Sequence, residues 1–179
     1  MPLPNEAIYT IDYIESLPEG TRAELIDGIV YDLAAPSGTH QALLINIATD
    51  IMNHIRKNHG KCMVFPAPYA VYLNDDDYTY LEPDISVICD HGKLDEKGCH
   101  GAPDWILEIV SPSSRWMDYV VKLAKYQAAG VREYWIVNPS KNTVRVFDFV
   151  GNETEDYHFT DSVASAVFPH LRLRLGDYE

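Results

Sequence analysis

A carboxylate stands inside an otherwise apolar run of this chain. Trp105-Ile106-Leu107-Glu108-Ile109-Val110 reads as a buried strand at every position but one. A second run, Asp84-Ile85-Ser86-Val87-Ile88-Cys89, opens on another carboxylate. An acidic group in an apolar strand is costly unless a cation or hydrogen-bond donors meet it. Two of them on neighbouring strands make a site of oxygen ligands for a hard cation, the kind Mg²⁺ prefers. The fold has to reconcile both groups with a hydrophobic core, and a metal-dependent enzyme is the leading reading.

The rest of the pattern is strands with two interposed helices. Glu24 to Tyr31 reads as a hairpin, because Asp27-Gly28 between apolar residues is a strong tight-turn signal. A short helix is expected over 11–17, and a loop over 32–39. Leu43, Leu44, Ile47, Ile51 and Ile55 recur at helical spacing, which predicts a helix over 40–58 that stops at His59-Gly60. Residues 62–73 look strand-like, with Pro66 and Pro68 marking an edge or bulge. A polar, glycine-bearing connection spans 90–103. Ser111-Pro112-Ser113-Ser114 leads into a second helix over 115–129, with serine as N-cap and Gly130 as stop. Strands follow over 133–137 and 143–149, and a last one over 172–175. This order predicts an α/β or α+β fold with a mixed sheet.

The second helix carries Met117, Val120, Val121, Ala124 and Ala128 on one stripe at 100° per residue. Asp118, Lys122 and Tyr126 lie opposite as successive i,i+4 neighbours. Spacing alone favours a solvated polar face. The other reading turns that face back toward the strand ends bearing Asp84 and Glu108, where Lys122 could orient or deprotonate a water or offset charge on a phosphate.

Several motifs, in order, resemble the Uma-two family of restriction-type endonucleases, in the PD-(D/E)XK nuclease superfamily. They are Glu24-Leu25-Ile26-Asp27-Gly28, Pro36 to His40, Leu81-Glu82-Pro83-Asp84, Ile106 to Ser114, Lys122 to Tyr126 and Gly130 to Pro139. The resemblance covers about residues 20–150 of what reads as one domain over 1–179. It implies a restriction-endonuclease-like mixed β-sheet flanked by helices, with Mg²⁺ or Mn²⁺ at splayed strand ends. Carried over by position, Asp84 and Glu108 are the metal ligands, and Glu24 is the N-terminal acidic residue that completes or tunes the site. The superfamily's lysine stands two residues after the second acid, where this chain has Val110; in the family pattern it comes from the following helix, matching Lys122. Tyr126, His40 and Asp118 are expected to support these groups rather than react. The implied reaction is phosphodiester hydrolysis of DNA with one or two divalent ions, about 3.5–4 Å apart in the second case.

Length, charge and cysteines bound this reading. At 179 residues the chain can bury a substantial core. Its formal net charge of −13 argues against passive DNA coating, which draws its affinity from basic side chains. The same charge favours a second reading, a catalytically inactive interaction protein on the nuclease fold, for which the aromatic-rich strands leave room for a homodimer. A two-carboxylate glycosidase fits less well, since a lysine-bearing helix after the strand pair suggests cation chemistry. Met1 to Glu6 lacks the basic and apolar regions of a signal peptide, and no apolar stretch approaches the roughly 20 residues of a membrane helix. The odd cysteine count, Cys62, Cys89 and Cys99, suits a reducing cytoplasm better than a disulfide scaffold.

Other signals carry less. Cys89, His91, Cys99 and His100 match no familiar zinc spacing and read as a polar loop. Asp75-Asp76-Asp77 lacks the later glycine and glutamate of a calcium loop. Trp105, Trp116 and Trp135 read most simply as core or interface residues; substrate contact by Arg115 and Trp116, just after the serine loop, is the less favoured reading. No phosphate-cradling glycine loop or nucleophile elbow is present.

Overall fold

The computed structural model describes residues 7–178. A short helix, α1 (Ile11–Glu15), precedes the hairpin of β1 (Ala23–Ile26) and β2 (Ile29–Asp32). Asp27 and Gly28 turn it with φ of 51° and 79°, the paired positive angles that a two-residue turn of this kind requires. Helix α2 (Gly38–Lys57) begins two residues before the expected start, where the Ser37 side chain accepts the His40 N–H.

The expected strand over 62–73 is two strands, β3 (Met63–Pro66) and β4 (Val71–Tyr72). Pro66 and Pro68 have no N–H to give a ladder, and β3 lies at the edge of the main sheet. Then come β5 (Ile85–Ile88), β6 (Cys99–His100), β7 (Trp105–Ile109), α3 (Leu123–Ala129), β8 (Glu133–Asn138), β9 (Thr143–Asp148) and β10 (Glu153–His158). The six-stranded sheet runs β10-β9-β8-β7-β5-β3. Within this sheet only the β7–β8 pair is parallel; the crossover between them carries α3. Two residues of β6 pair with β4 inside what was expected to be plain loop. The last expected strand is shorter, β12 (Arg172–Leu173), paired with β11 (Val163–Ala164).

Every residue of β7 is buried, because both faces of the sheet are covered. Period-two alternation then sorts the side chains. Trp105, Leu107 and Ile109 join Trp135, Val137 and the apolar stripe of α2 on one face. Ile106 and Val110 join Tyr134, Ile136 and Tyr126 on the other. By the same alternation Glu108 faces α3, not α2. Trp105 and Trp135 are buried with their rings edge to face at 4.9 Å, whereas Trp116 is 64% exposed and so is not a core residue.

Three expectations are corrected. The segment over 115–129 is not a regular α-helix: Met117–Lys122 forms a π-helical turn, which rotates the residues after it away from a 100° phase. The apolar stripe is therefore not the core face; Val120 is 52% exposed while Asp118, Lys122 and Tyr126 are buried. Cysteines 62 and 89, read as free thiols, are joined in a disulfide across β3 and β5, where Met63 lies opposite Ile88. Cys99 is free and buried. Strand β10 was not foreseen, since Glu153–His158 is polar and exposed along an edge at every position but Tyr157.

Glu133 shows how a buried acid is met without a cation. Its carboxylate accepts Trp135 Nε1–H (2.6 Å), Ser165 Oγ–H (2.8 Å), Val167 N–H (2.9 Å) and Ala166 N–H (3.0 Å). Burial pushes its pKa up, and these donors oppose the shift. Glutamine would put an amide donor against two of the four N–H and O–H groups. Glu133→Gln should therefore cost about 2 kcal/mol of unfolding free energy, read by urea denaturation.

Candidate active site

The hairpin, the end of β7, the π-helical turn and α3 bring five of the expected residues, Glu24, Glu108, Asp118, Lys122 and Tyr126, into one buried cluster. Lys122 Nζ donates to Glu24 Oε1 and to Glu108 Oε1, each at 2.9 Å, and lies 3.9 Å from Asp118 Oδ1. The Tyr126 hydroxyl donates to the same Glu108 oxygen at 2.7 Å. Glu24 Oε1 also accepts the Glu82 N–H at 3.0 Å, which ties β1 to the segment entering β5. Lys122 is only 5% exposed. The polar helix face thus looks inward, as the resemblance required and spacing alone did not.

Asp84 lies just before β5, nearer the cleft, with its side chain 17% exposed. Its Oδ2 accepts the Ile109 N–H at 2.7 Å and is 3.0 Å from His40 Nε2. Its own N–H reaches Glu108 Oε2 at 3.3 Å. His40 is placed by the first turn of α2, and its Nδ1 is buried without a hydrogen-bond partner. Asp84 Oδ1 takes part in none of these contacts, and Glu108 Oε2 has only the long one. Both oxygens are therefore open to a ligand at this spot.

Electrostatics set the cluster's character. Burial pushes the Glu108 carboxyl up to about 8; Lys122 opposes the shift, while Asp84, Asp118 and Glu24 add to it. Burial likewise raises Asp118 to about 6, against Lys122 and a Ser114 hydrogen bond. For Lys122, burial alone would favour the neutral amine, but Glu108, Glu24 and Asp118 outweigh it and hold the ammonium well above the ordinary lysine value. A lysine fixed in its charged form is an orienting cation, not a base.

This cluster lies in a cleft of about 740 Å³. Its wall carries Glu24, Asp32, Glu82, Asp84, Glu108 and Asp118 against Arg22 and Lys122. Both basic groups are engaged, since Arg22 Nε donates to Glu82 Oε2 at 2.8 Å. Glu82 was not singled out from the sequence, although its place beside Pro83-Asp84 was a usable signal. Among the described residues no group of three or more His, Cys, Asp or Glu side chains forms a ready cage for an ion, the Cys89–His100 segment included. None of the described helices is long and apolar enough to cross a membrane.

A mixed sheet flanked by helices, with acidic side chains at the ends of adjacent strands, defines a restriction-endonuclease-like α+β protein. The Uma2 family model, described as "Putative restriction endonuclease", matches residues 11–176. The chain belongs to that family. It is similar to a crystal structure described as a putative nuclease belonging to DUF820, from Anabaena variabilis. That match has 25% identity and a TM-score of 0.76, covering 94% of this chain and 96% of the other. It is also 24% identical over 139 residues to an uncharacterized Synechocystis protein, slr1290, spanning 77% of this chain and 66% of that one. The match thus takes in just under two thirds of that relative.

Proposed function

We propose that this protein is a Mg²⁺- or Mn²⁺-dependent endonuclease that hydrolyses phosphodiester bonds of DNA in the Asp84–Glu108 cleft. Family membership and the nuclease neighbour support a nuclease. The observation that carries the finer reading is the convergence of Asp84, Glu108 and Lys122 from three separate elements. The donor set suits a hard cation: it is all oxygen, acidic and partly open at Asp84. Mg²⁺ commonly binds one or two carboxylates and completes its shell with water and substrate phosphate. Two carboxylates with an available oxygen each are what this cleft offers.

Asp84 and Glu108 would hold the ion, which when bound lowers the pKa of water and polarises the phosphate. The chain's own groups do the positioning. His40 and the Ile109 N–H fix Asp84 through Oδ2 and leave Oδ1 for the ion. Lys122 and Tyr126 fix Glu108 through Oε1 and leave Oε2. Glu24 anchors Lys122 from the far side, so the ammonium stays in place as fixed positive charge near the reacting phosphate.

The excess of carboxylates in the cleft supports a second reading, a non-catalytic protein on the same fold. A cleavage assay separates the two. Supercoiled plasmid and fluorescent oligonucleotides should be cut with Mg²⁺ or Mn²⁺ and spared with EDTA. Absence of cleavage with Mg²⁺, Mn²⁺, Co²⁺ or Ni²⁺ would overturn the nuclease reading.

A further inference from the structure

Next to the acidic cleft lies a second cavity, of about 530 Å³, with the opposite polarity. Arg115, Lys141 and Arg145 line it, and its one carboxylate is Asp156. Asp156 is fully engaged by Arg145, through Nε and Nη2 at 2.7 Å each. Among the described residues Arg115 and Lys141 belong to no ion pair. In a chain carrying 27 acidic and 14 basic residues, a cavity with three basic side chains and one carboxylate runs against the overall charge.

The aromatic content is equally particular. Trp116 lines the same cavity with an indole that is 64% exposed. Tyr119 lies under the Arg145 guanidinium, 5.9 Å from carbon to ring centroid. Arg145 is thereby held from two sides, by Tyr119 and by Asp156. Open aromatic faces interleaved with free cations are the working parts of single-strand nucleic-acid grooves, where bases stack and phosphates pair.

The cavity and the cleft share a rim. Ser114 lines the cleft and Arg115 the cavity; Ser140 lines the cleft and Lys141 the cavity. At both crossings the step is a single residue, about 3.8 Å between Cα atoms. The cleft itself has no unengaged Lys or Arg to hold a phosphate backbone. Arg115 and Lys141 are the nearest in chain position that do.

Building on the nuclease reading above, we propose that this cavity binds an unpaired nucleotide of the DNA strand being cut. Trp116 stacks on its base, and Arg115 and Lys141 meet the adjoining phosphates. The indole can stack only on a base face that no neighbouring base pair covers. The volume is that of a small-ligand pocket, roughly 300–1,000 Å³, and too small for a duplex whose major groove alone is about 12 Å wide. The substrate class is therefore single-stranded DNA, or duplex DNA with a frayed or overhanging strand.

The test is fluorescence anisotropy with a fluorescein-labelled 20-nucleotide DNA, single-stranded and as a blunt duplex. Ca²⁺ replaces Mg²⁺, and the salt concentration is varied. The single strand should bind at least about 10-fold more tightly than the duplex. Trp116→Ala should weaken single-strand binding about 10-fold or more, while Trp116→Phe keeps most of it. The double variant Arg115→Ala/Lys141→Ala should flatten the slope of log affinity against log salt by about 1.4, two phosphates at about 0.7 each. All three positions are exposed, and unchanged urea midpoints confirm that the variants fold. Equal or tighter duplex binding, or single-strand binding indifferent to Trp116→Ala, would overturn the proposal. Tighter binding of the same sequence as RNA would overturn its assignment to DNA. Failure here is distinct from failure of the nuclease reading. Metal-dependent cleavage with Trp116-independent binding removes the subsite alone. Trp116-dependent binding without cleavage supports the subsite and removes the nuclease.

Discussion

Lys122→Met is expected to lower the unfolding free energy by about 3–5 kcal/mol, the cost of leaving buried charge without its partner. Glu24, Glu108 and Asp118 are all buried, and among the described residues Lys122 is the only basic side chain paired with them. Methionine matches the length of the stem and fills the space, so the loss is electrostatic and not a cavity. Against a total stability of roughly 5–15 kcal/mol the effect is large, and urea denaturation reads it directly. The deficit has a pH signature. Burial already holds Glu108 near 8 and Asp118 near 6, against ordinary values of 4.5 and 3.8. The folded variant therefore binds protons that the unfolded chain does not, so its stability rises as pH falls from about 8 toward 4. Added Mn²⁺ should also restore part of the loss, because an ion bound only by the folded state stabilises it by mass action.

Asp84→Asn should leave the fold within about 1 kcal/mol of wild type yet reduce metal-dependent cleavage by about a thousandfold or more. The amide oxygen can still accept the His40 and Ile109 donors that Oδ2 accepts. The amide nitrogen then stands where Oδ1 stood, and it carries neither negative charge nor a lone pair for a hard cation. Losing the several kcal/mol of charge stabilisation that an ion supplies corresponds to that drop in rate. The measurement is initial cleavage rate at fixed Mg²⁺, with the urea midpoint taken on the same preparation. A loss of activity matched by a loss of stability would instead mark Asp84 as a structural residue.

Glu108 was legible because an apolar run buried on both faces left one charged side chain with nowhere polar to go. The hairpin was legible because Asp-Gly accepts positive φ at both turn positions. Lys122 was not legible from spacing: a regular helix would have put Val120 inward, and the π-helical turn put Lys122 there. Only the family resemblance placed it correctly, and only the resemblance singled out Glu24. Glu133 was invisible because three of its four donors lie 32 to 34 residues downstream in Ser165, Ala166 and Val167. The Cys62–Cys89 bridge needed the β3–β5 register, and β10 needed β9, whose Arg145 lies opposite Asp156. For Glu133 and for the disulfide the deciding contact is long-range, and local periodicity does not contain it.

The central claim is that Asp84 and Glu108 together hold a divalent ion. Isothermal titration of the protein with Mn²⁺, beside Asp84→Asn under the same buffer, tests it most directly. Saturable binding in wild type that disappears in the variant is the predicted result. No binding in wild type, or binding undiminished by the substitution, would contradict it.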